Sequence, residues 1–135
     1  MTGETDLDTL LAAMAPRLQP ETYVFVTIAP GTVEPAGLTP LMRCAEAEGT
    51  TLIVEHAAAI AAGLEGTFPC RMITLDIHSS LAAVGFLAAI LPRLAAAGIG
   101  VNPVSAYFHD HLFVPADRAA DAVAILTEMA RNAAK

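Results

Sequence analysis

The residues of this chain best equipped for chemistry fall into two clusters. Tyr107, His109, Asp110 and His111 crowd the stretch 105–115, set between β-prone runs and closed by Pro115. His78, Ser79 and Ser80 form the second cluster, directly ahead of an apolar run that opens with Leu81. An aspartate can hold a cationic group through a charge-assisted hydrogen bond. A strand-to-helix turn offers the complement, because the first N–H groups of a helix lack internal partners and its dipole favours an anion. His78, Ser79, Ser80, Leu81, Tyr107, His109, Asp110 and His111 are therefore the candidate ligand-binding residues, with the two serines adding hydroxyls and Tyr107 offering a wall with one polar tip. Each residue also has a plainer role: the serines suit helix capping, Asp110 suits an ordinary turn, and Tyr107 suits simple packing.

The histidines allow a second chemistry. His109 and His111 are two positions apart and so point to one side of a strand. With His78, and with Asp110 or water, they offer the donor set of a zinc or other divalent-metal site, although spacing alone brings only two imidazoles together. Catalysis finds less support. No GxSxG, HExxH, P-loop or GxGxxG pattern is present, and His78 beside Ser79 is not a triad, since sequence neighbours at such a junction seldom direct their side chains at each other. Asp76 shares a strand face with His78 and could orient it as a base. The expectation is a protein without catalysis and without a cofactor.

Composition narrows the partners. Seven basic residues against fourteen acidic ones give a net charge of -7. The cations are scattered, which argues against nucleic acid and against an anionic membrane surface. The stretch 1–8 has no secretory pattern. The apolar run 81–91 is too short for the roughly 20 residues of a membrane helix and ends at Pro92. A cytoplasmic protein is expected, with Cys44 and Cys70 as free thiols. A hydrophobic fraction of 55% and a mean hydropathy of +0.56 are high, which favours a homo-oligomer that covers apolar surface. A purely structural dimerisation module is the third reading.

The elements that must position these groups follow from periodicity. Thr5 or Asp6 caps a helix over 7–14 that Pro16 ends. A strand follows over 23–28, then a loop rich in Pro and Gly. The segment 39–48 reads as a helix stopped by Gly49, 51–54 as a strand, 56–63 as an alanine helix and 65–69 as a turn. The second half reads as a strand over 72–78, a helix capped by Ser79 or Ser80 and running to Gly98, and two strands, 99–107 and 112–114, in a hairpin turning at 108–110. A closing helix comes after Pro115. Pro92 should kink or divide its helix. A shift of 49 positions lays Gly49 on Gly98 and Tyr23, Val24, Val26 and Ile28 on Met72, Ile73, Leu75 and Ile77, so two βαβ-type halves are expected. Together these give an α+β fold, a ferredoxin-like βαββαβ-type sandwich whose antiparallel-containing sheet is covered by helices.

Particular segments sharpen that reading. Gly3-Glu4-Thr5-Asp6-Leu7, Glu48-Gly49-Thr50-Thr51-Leu52, His78-Ser79-Ser80-Leu81 with Ala83-Val84-Gly85, and Tyr107-Phe108-His109-Asp110-His111 with Phe113-Val114-Pro115 resemble a bacterial family of stand-alone proteins made of paired ACT modules. The resemblance implies two ACT-like halves, 1–68 and 69–135, and a regulatory or sensing role through a bound small molecule, most naturally an amino acid. The C-terminal module is also similar to one in animal cytosolic arginine sensors, where a hairpin aspartate and backbone groups at a strand-to-helix turn hold the ligand. Asp110 and the turn 78–80 would be the equivalents here. The flanking histidines depart from that pattern, so the similarity implies the position of a pocket and not arginine as its occupant. The first half has Ala29-Pro30 where the second has Ser79-Ser80 and is expected to be mainly scaffold.

Overall fold

The computed structural model of the chain describes residues 3–135. Along them run α1 (Leu7–Ala13), β1 (Pro16–Ile28), β2 (Met42–Glu46), β3 (Gly49–Glu55), α2 (His56–Ala61), β4 (Thr67–Leu75), α3 (Phe86–Ala96), β5 (Asn102–Ser105), β6 (Asp110–Pro115) and α4 (Ala119–Ala133), the last entered through a 3-10 turn at Ala116–Arg118. The fold is α+β, as expected. The strands follow the order β2-β3-β1-β4-β6-β5, and the pairings β1–β3, β2–β3 and β5–β6 are antiparallel. The long strands β1 and β4 each contribute to two compact units, one of Met1–Pro20 with Arg71–Lys135 and one of Glu21–Cys70.

The first unit carries the larger core. Asp6 is the N-cap of α1, its carboxylate accepting from the Thr9 N–H at 2.9 Å and the Thr9 hydroxyl at 2.7 Å, so one of the two expected caps is realised. Ile73 and Leu75 of β4 alternate onto the same side as Leu112 and Val114 of β6, the parity a pleated strand imposes. Against them pack Leu10 of α1, Ile90 and Leu94 of α3, and Ala122 and Leu126 of α4, all essentially inaccessible to solvent. Each leucine or isoleucine so buried contributes about 1.5–3 kcal/mol.

Two expectations about α3 change. The helix begins at Phe86 and not at Ser79 or Ser80, because the left-handed Gly85 interrupts any right-handed helix started earlier; before it the Ser80 N–H donates to the Glu4 carbonyl at 2.8 Å and the Ala83 N–H closes a turn on the Ser80 carbonyl at 3.0 Å. Gly85 then takes the left-handed conformation, with φ 89°, as the helix N-cap, which its missing Cβ permits. Residues 76–85 form a loop. Pro92 is accommodated inside α3, which continues as one element to Ala96.

In the second unit β1 pairs with β3 from Tyr23↔Glu55 to Ile28↔Thr50. Val24, Val26 and Ile28 alternate onto a core with Leu52, Val54 and Ala59, flanked by Leu38 and Leu64. The helix expected over 39–48 is instead strand β2, paired with β3 from Met42↔Ile53 to Glu46↔Gly49 in a hairpin that turns at Ala47 and Glu48. The composition of this segment favours a helix, but Arg43, Cys44, Ala45 and Glu46 are all exposed. Such a segment has no apolar stripe to bury as a helix, whereas strand pairing satisfies its backbone, and tertiary context overrides propensity. The chain therefore passes from β1 to β2 through a loop and not through the crossover helix expected of a βαβ half. The stretch 65–69 is also not a simple turn, since β4 already begins at Thr67.

Candidate functional site

The register of the β5–β6 hairpin sets the first side of the site. Ser105 and Asp110 are directly paired, so their side chains leave the same face of the ladder, and the Ser105 hydroxyl donates to Asp110 Oδ1 at 2.6 Å. The loop 76–85 brings a second hydroxyl, with Ser79 Oγ donating to Asp110 Oδ2 at 3.3 Å. Asp110 is 8% exposed and Ser79 is 7% exposed. Each carboxylate oxygen thus receives one hydroxyl and keeps a further lone pair. Among the described residues no cation forms an ion pair with Asp110.

These groups line a cleft of about 160 Å³. One wall is the loop, through Ser79, Ser80, Leu81, Ala83 and Gly85; the facing parts are Ser105 and Ala106 of the hairpin with Asp110. The end is the first turn of α3, Phe86, Leu87 and Ala88. The N-cap Gly85 has no side chain to cap this turn, and the first intrahelical bond is the Ala89 N–H to the Gly85 carbonyl at 2.9 Å. The preceding N–H groups of the helix have no intrahelical acceptor. One cleft therefore holds a buried carboxylate, three serines and an uncapped helix N-terminus, and its lining contains no lysine, arginine or histidine. Ser80 plays a local part, its Oγ accepting from the Ala82 N–H at 3.1 Å.

Of the eight residues expected from sequence, Ser79, Ser80, Leu81 and Asp110 meet in this cleft. The two histidines of the hairpin do not line it. Strand parity gives the reason: Asp110, Leu112 and Val114 share one face of β6, so His111 points to the other. His111 Nδ1 lies 2.9 Å from Thr74 Oγ1, which also accepts from Gln19 Nε2 at 3.0 Å. Burial, and next to it the neighbouring His109, hold the His111 imidazole below its ordinary pKa. His109 Nδ1 lies 3.1 Å from the Ile77 carbonyl, which requires a proton on that nitrogen, and its Nε2 faces Asp76 Oδ1 at 3.7 Å. Asp76 in turn meets Arg17 at 3.5 Å. His78 joins a different group, an aromatic cluster with Phe108 at 5.2 Å and Tyr107 at 6.4 Å between ring centroids. Tyr107 and Phe108 are more than half exposed. Among the described residues no three His, Cys, Asp or Glu side chains are placed to hold one metal ion.

Two contributors escaped the sequence reading. Ser105 opens the same stretch as the cluster around Asp110, but only the hairpin register pairs the two. The α3 terminus was assigned to Ser79 or Ser80, although Gly85 ahead of the apolar run 86–91 is itself a signal of a helix start without a side-chain cap.

Comparison with known proteins agrees with this architecture. The ACT domain pattern matches residues 2–71, and a second ACT domain pattern matches residues 67–128. A Vibrio cholerae protein of unknown function is 40% identical, with a TM-score of 0.82 over 92% of this chain and 95% of that one. The regulatory subunit of aspartate kinase from Thermus thermophilus shares the fold at 10% identity and a TM-score of 0.59, over 87% of this chain and 98% of that one. So does aspartokinase III of E. coli, at 10% identity and a TM-score of 0.64, over 87% of this chain but 34% of the enzyme. No curated protein matches the chain. Two ACT patterns together spanning residues 2–128, on a sheet and helices of the ferredoxin-like ACT type, mean that this chain belongs to the ACT-domain family, with two ACT domains in tandem.

Proposed function

We propose that the protein is a non-catalytic regulatory module that binds an amino acid with a short, uncharged side chain in the cleft between the α3 N-terminus and the β5–β6 hairpin. The observation that carries this reading is Asp110, a buried carboxylate met by two hydroxyls and, among the described residues, by no cation, in the same cleft as an uncapped helix N-terminus. Asp110 takes the ligand ammonium, and the free N–H groups of the first α3 turn take its carboxylate. The absence of a cation from the lining disfavours an acidic side chain. A cleft of about 160 Å³ compares with the engineered 150 Å³ cavity that accepts benzene, so it suits roughly six to eight heavy atoms and not arginine. The 69–135 half carries this site and the 1–68 half serves mainly as scaffold.

A regulatory role is supported by the ACT match and by the fold shared with an aspartate kinase regulatory subunit. Exposed Leu81, Val84, Tyr107 and Phe108 support a homo-oligomer, and the unpaired thiols of Cys44 and Cys70 support the reducing cytoplasm. The test is a melting experiment with each common amino acid. A ligand at one hundred times its dissociation constant stabilises by about 2.7 kcal/mol, roughly 8 °C for a chain of this size. L-alanine, L-serine or L-threonine should give that shift and L-arginine and L-aspartate should not; no shift with any amino acid refutes the reading.

A further inference from the structure

The segment from Gly3 to Leu7 lines no part of the cleft, yet it bridges the cleft loop at Ser79 and runs close to its far end at Gly85. Glu4 and Ser79 form a parallel β-bridge: the Glu4 N–H donates to the His78 carbonyl at 2.8 Å, and the Ser80 N–H donates to the Glu4 carbonyl at 2.8 Å. Gly3 is pressed onto the same backbone. A Cβ at this position would lie 2.6 Å from the Ser79 carbonyl carbon and the Ser80 nitrogen, and 2.8 Å from the His78 oxygen. Those are backbone atoms, so no side chain can swing aside to make room. At the far end of the loop a Cβ placed on Gly85, the N-cap of α3, would lie 3.7 Å from Leu7 Cδ2. The segment is itself anchored, because the Glu4 carboxylate accepts from the Thr5 and Asp6 N–H groups at 2.9 and 3.3 Å and Asp6 caps α1.

Ser79, the residue bridged by Glu4, is also the one whose hydroxyl meets Asp110. We propose that Gly3 and Glu4 are positioning residues for the ligand site: their strap sets the Ser79 hydroxyl on Asp110 and holds the loop against the α3 N-terminus, so that strap docking and ligand binding are coupled. The coupling rests on the reading of the cleft as an amino-acid site, and by linkage it runs both ways. A ligand that needs the ordered loop tightens the strap, which turns binding in the cleft into a change at the N-terminal segment that a partner or a neighbouring domain can read.

Residue-resolved amide exchange by NMR on the full chain tests this, with Gly3→Ala, Glu4→Pro, which removes the N–H that bonds His78, and Glu4→Gln, which keeps the backbone bridge. In Gly3→Ala and Glu4→Pro the Ser80 amide should exchange about tenfold faster or more, and the affinity for L-threonine should fall by a similar factor. The amides of Leu112 and Leu126 should stay as slow as in the parent, showing an intact core, and Glu4→Gln should resemble the parent in all three. L-threonine at saturation should slow Ser80 exchange in the parent. Parent-like exchange at Ser80 in Gly3→Ala overturns the proposal, and so does faster exchange with unchanged affinity. If the parent binds no amino acid, the functional reading falls and the strap is decided by the Asp110 carboxyl ¹³C shift. A shift that moves in Gly3→Ala supports the positioning of Ser79, and one that does not overturns it.

Discussion

Replacing Asp110 by asparagine should separate binding from stability, because the two effects have opposite signs. In the free protein the side chain is 8% exposed and is met by Ser105 Oγ at 2.6 Å and Ser79 Oγ at 3.3 Å. Asparagine has the same shape. Its carbonyl still accepts from Ser105, and its NH₂ donates to Ser79, whose hydroxyl can accept as readily as it donates. The variant therefore keeps both contacts and loses only a charge that no cation among the described residues offsets, which should leave the melting point of the free protein unchanged or higher. The ligand loses more. A hydrogen bond to a charged group contributes about 1.5–3 kcal/mol, and the asparagine NH₂ would face an ammonium with donors only. The dissociation constant for L-threonine should rise roughly 10- to 150-fold. Calorimetric titration gives the affinity and a thermal melt of the free protein gives the stability. Asp110→Ala is the useful contrast, since it strands two hydroxyls and should lose stability as well as affinity. An Asp110→Asn variant that binds within about twofold of the parent would show that Asp110 does not hold the ammonium.

Other outcomes follow from the same geometry. Leu126→Ala removes a fully buried side chain from the core shared with Leu10, Ile90 and Leu112 and should cost about 2–5 kcal/mol in denaturant unfolding; a cost near zero would mean that α4 is not held by that stripe. Because burial lowers the His111 pKa from the ordinary 6.5 of a histidine, the unfolded chain takes up that proton first. Stability from neutral His111 is complete above about pH 6.5 and is lost as the pH falls below it, and His111→Gln should flatten this acid slope. Cys70 runs the other way: it is fully buried, its thiol lies 3.4 Å from the Tyr23 carbonyl, and burial pushes its pKa up from 9.0 to about 11. Its contribution is complete below pH 9.0 and declines as the pH rises toward 11, so Cys70→Ala should be less sensitive to alkali than the parent.

Much of the fold could be read locally. The cap at Asp6, the strand through Tyr23 and Ile28, the hairpin closing at Pro115 and the final helix each depend on residues a few positions apart. Where the reading failed, at β2 and at the start of α3, the deciding contacts came from far along the chain. Met42 to Glu46 became a strand because β3 offered it a ladder, and Ser79 and Ser80 lie in a loop bridged by Glu4, distant in sequence, with the helix starting only after the left-handed Gly85.

The candidate site divides along the same line. Residue type and the family resemblance together marked Ser79, Ser80, Leu81 and Asp110, and the two-residue period of a strand already implies that His109 and His111 leave the opposite face from Asp110. Only the tertiary structure decided that Ser105 and Ser79 meet the two oxygens of Asp110, that the helix N-terminus at the cleft is the uncapped turn after Gly85, and that Glu4 bridges the loop at Ser79 with Gly3 pressed against it. Periodicity and capping are written in neighbouring residues. Which turn of a loop comes to rest against which strand is set by close packing and by backbone groups that must find partners wherever the fold brings them.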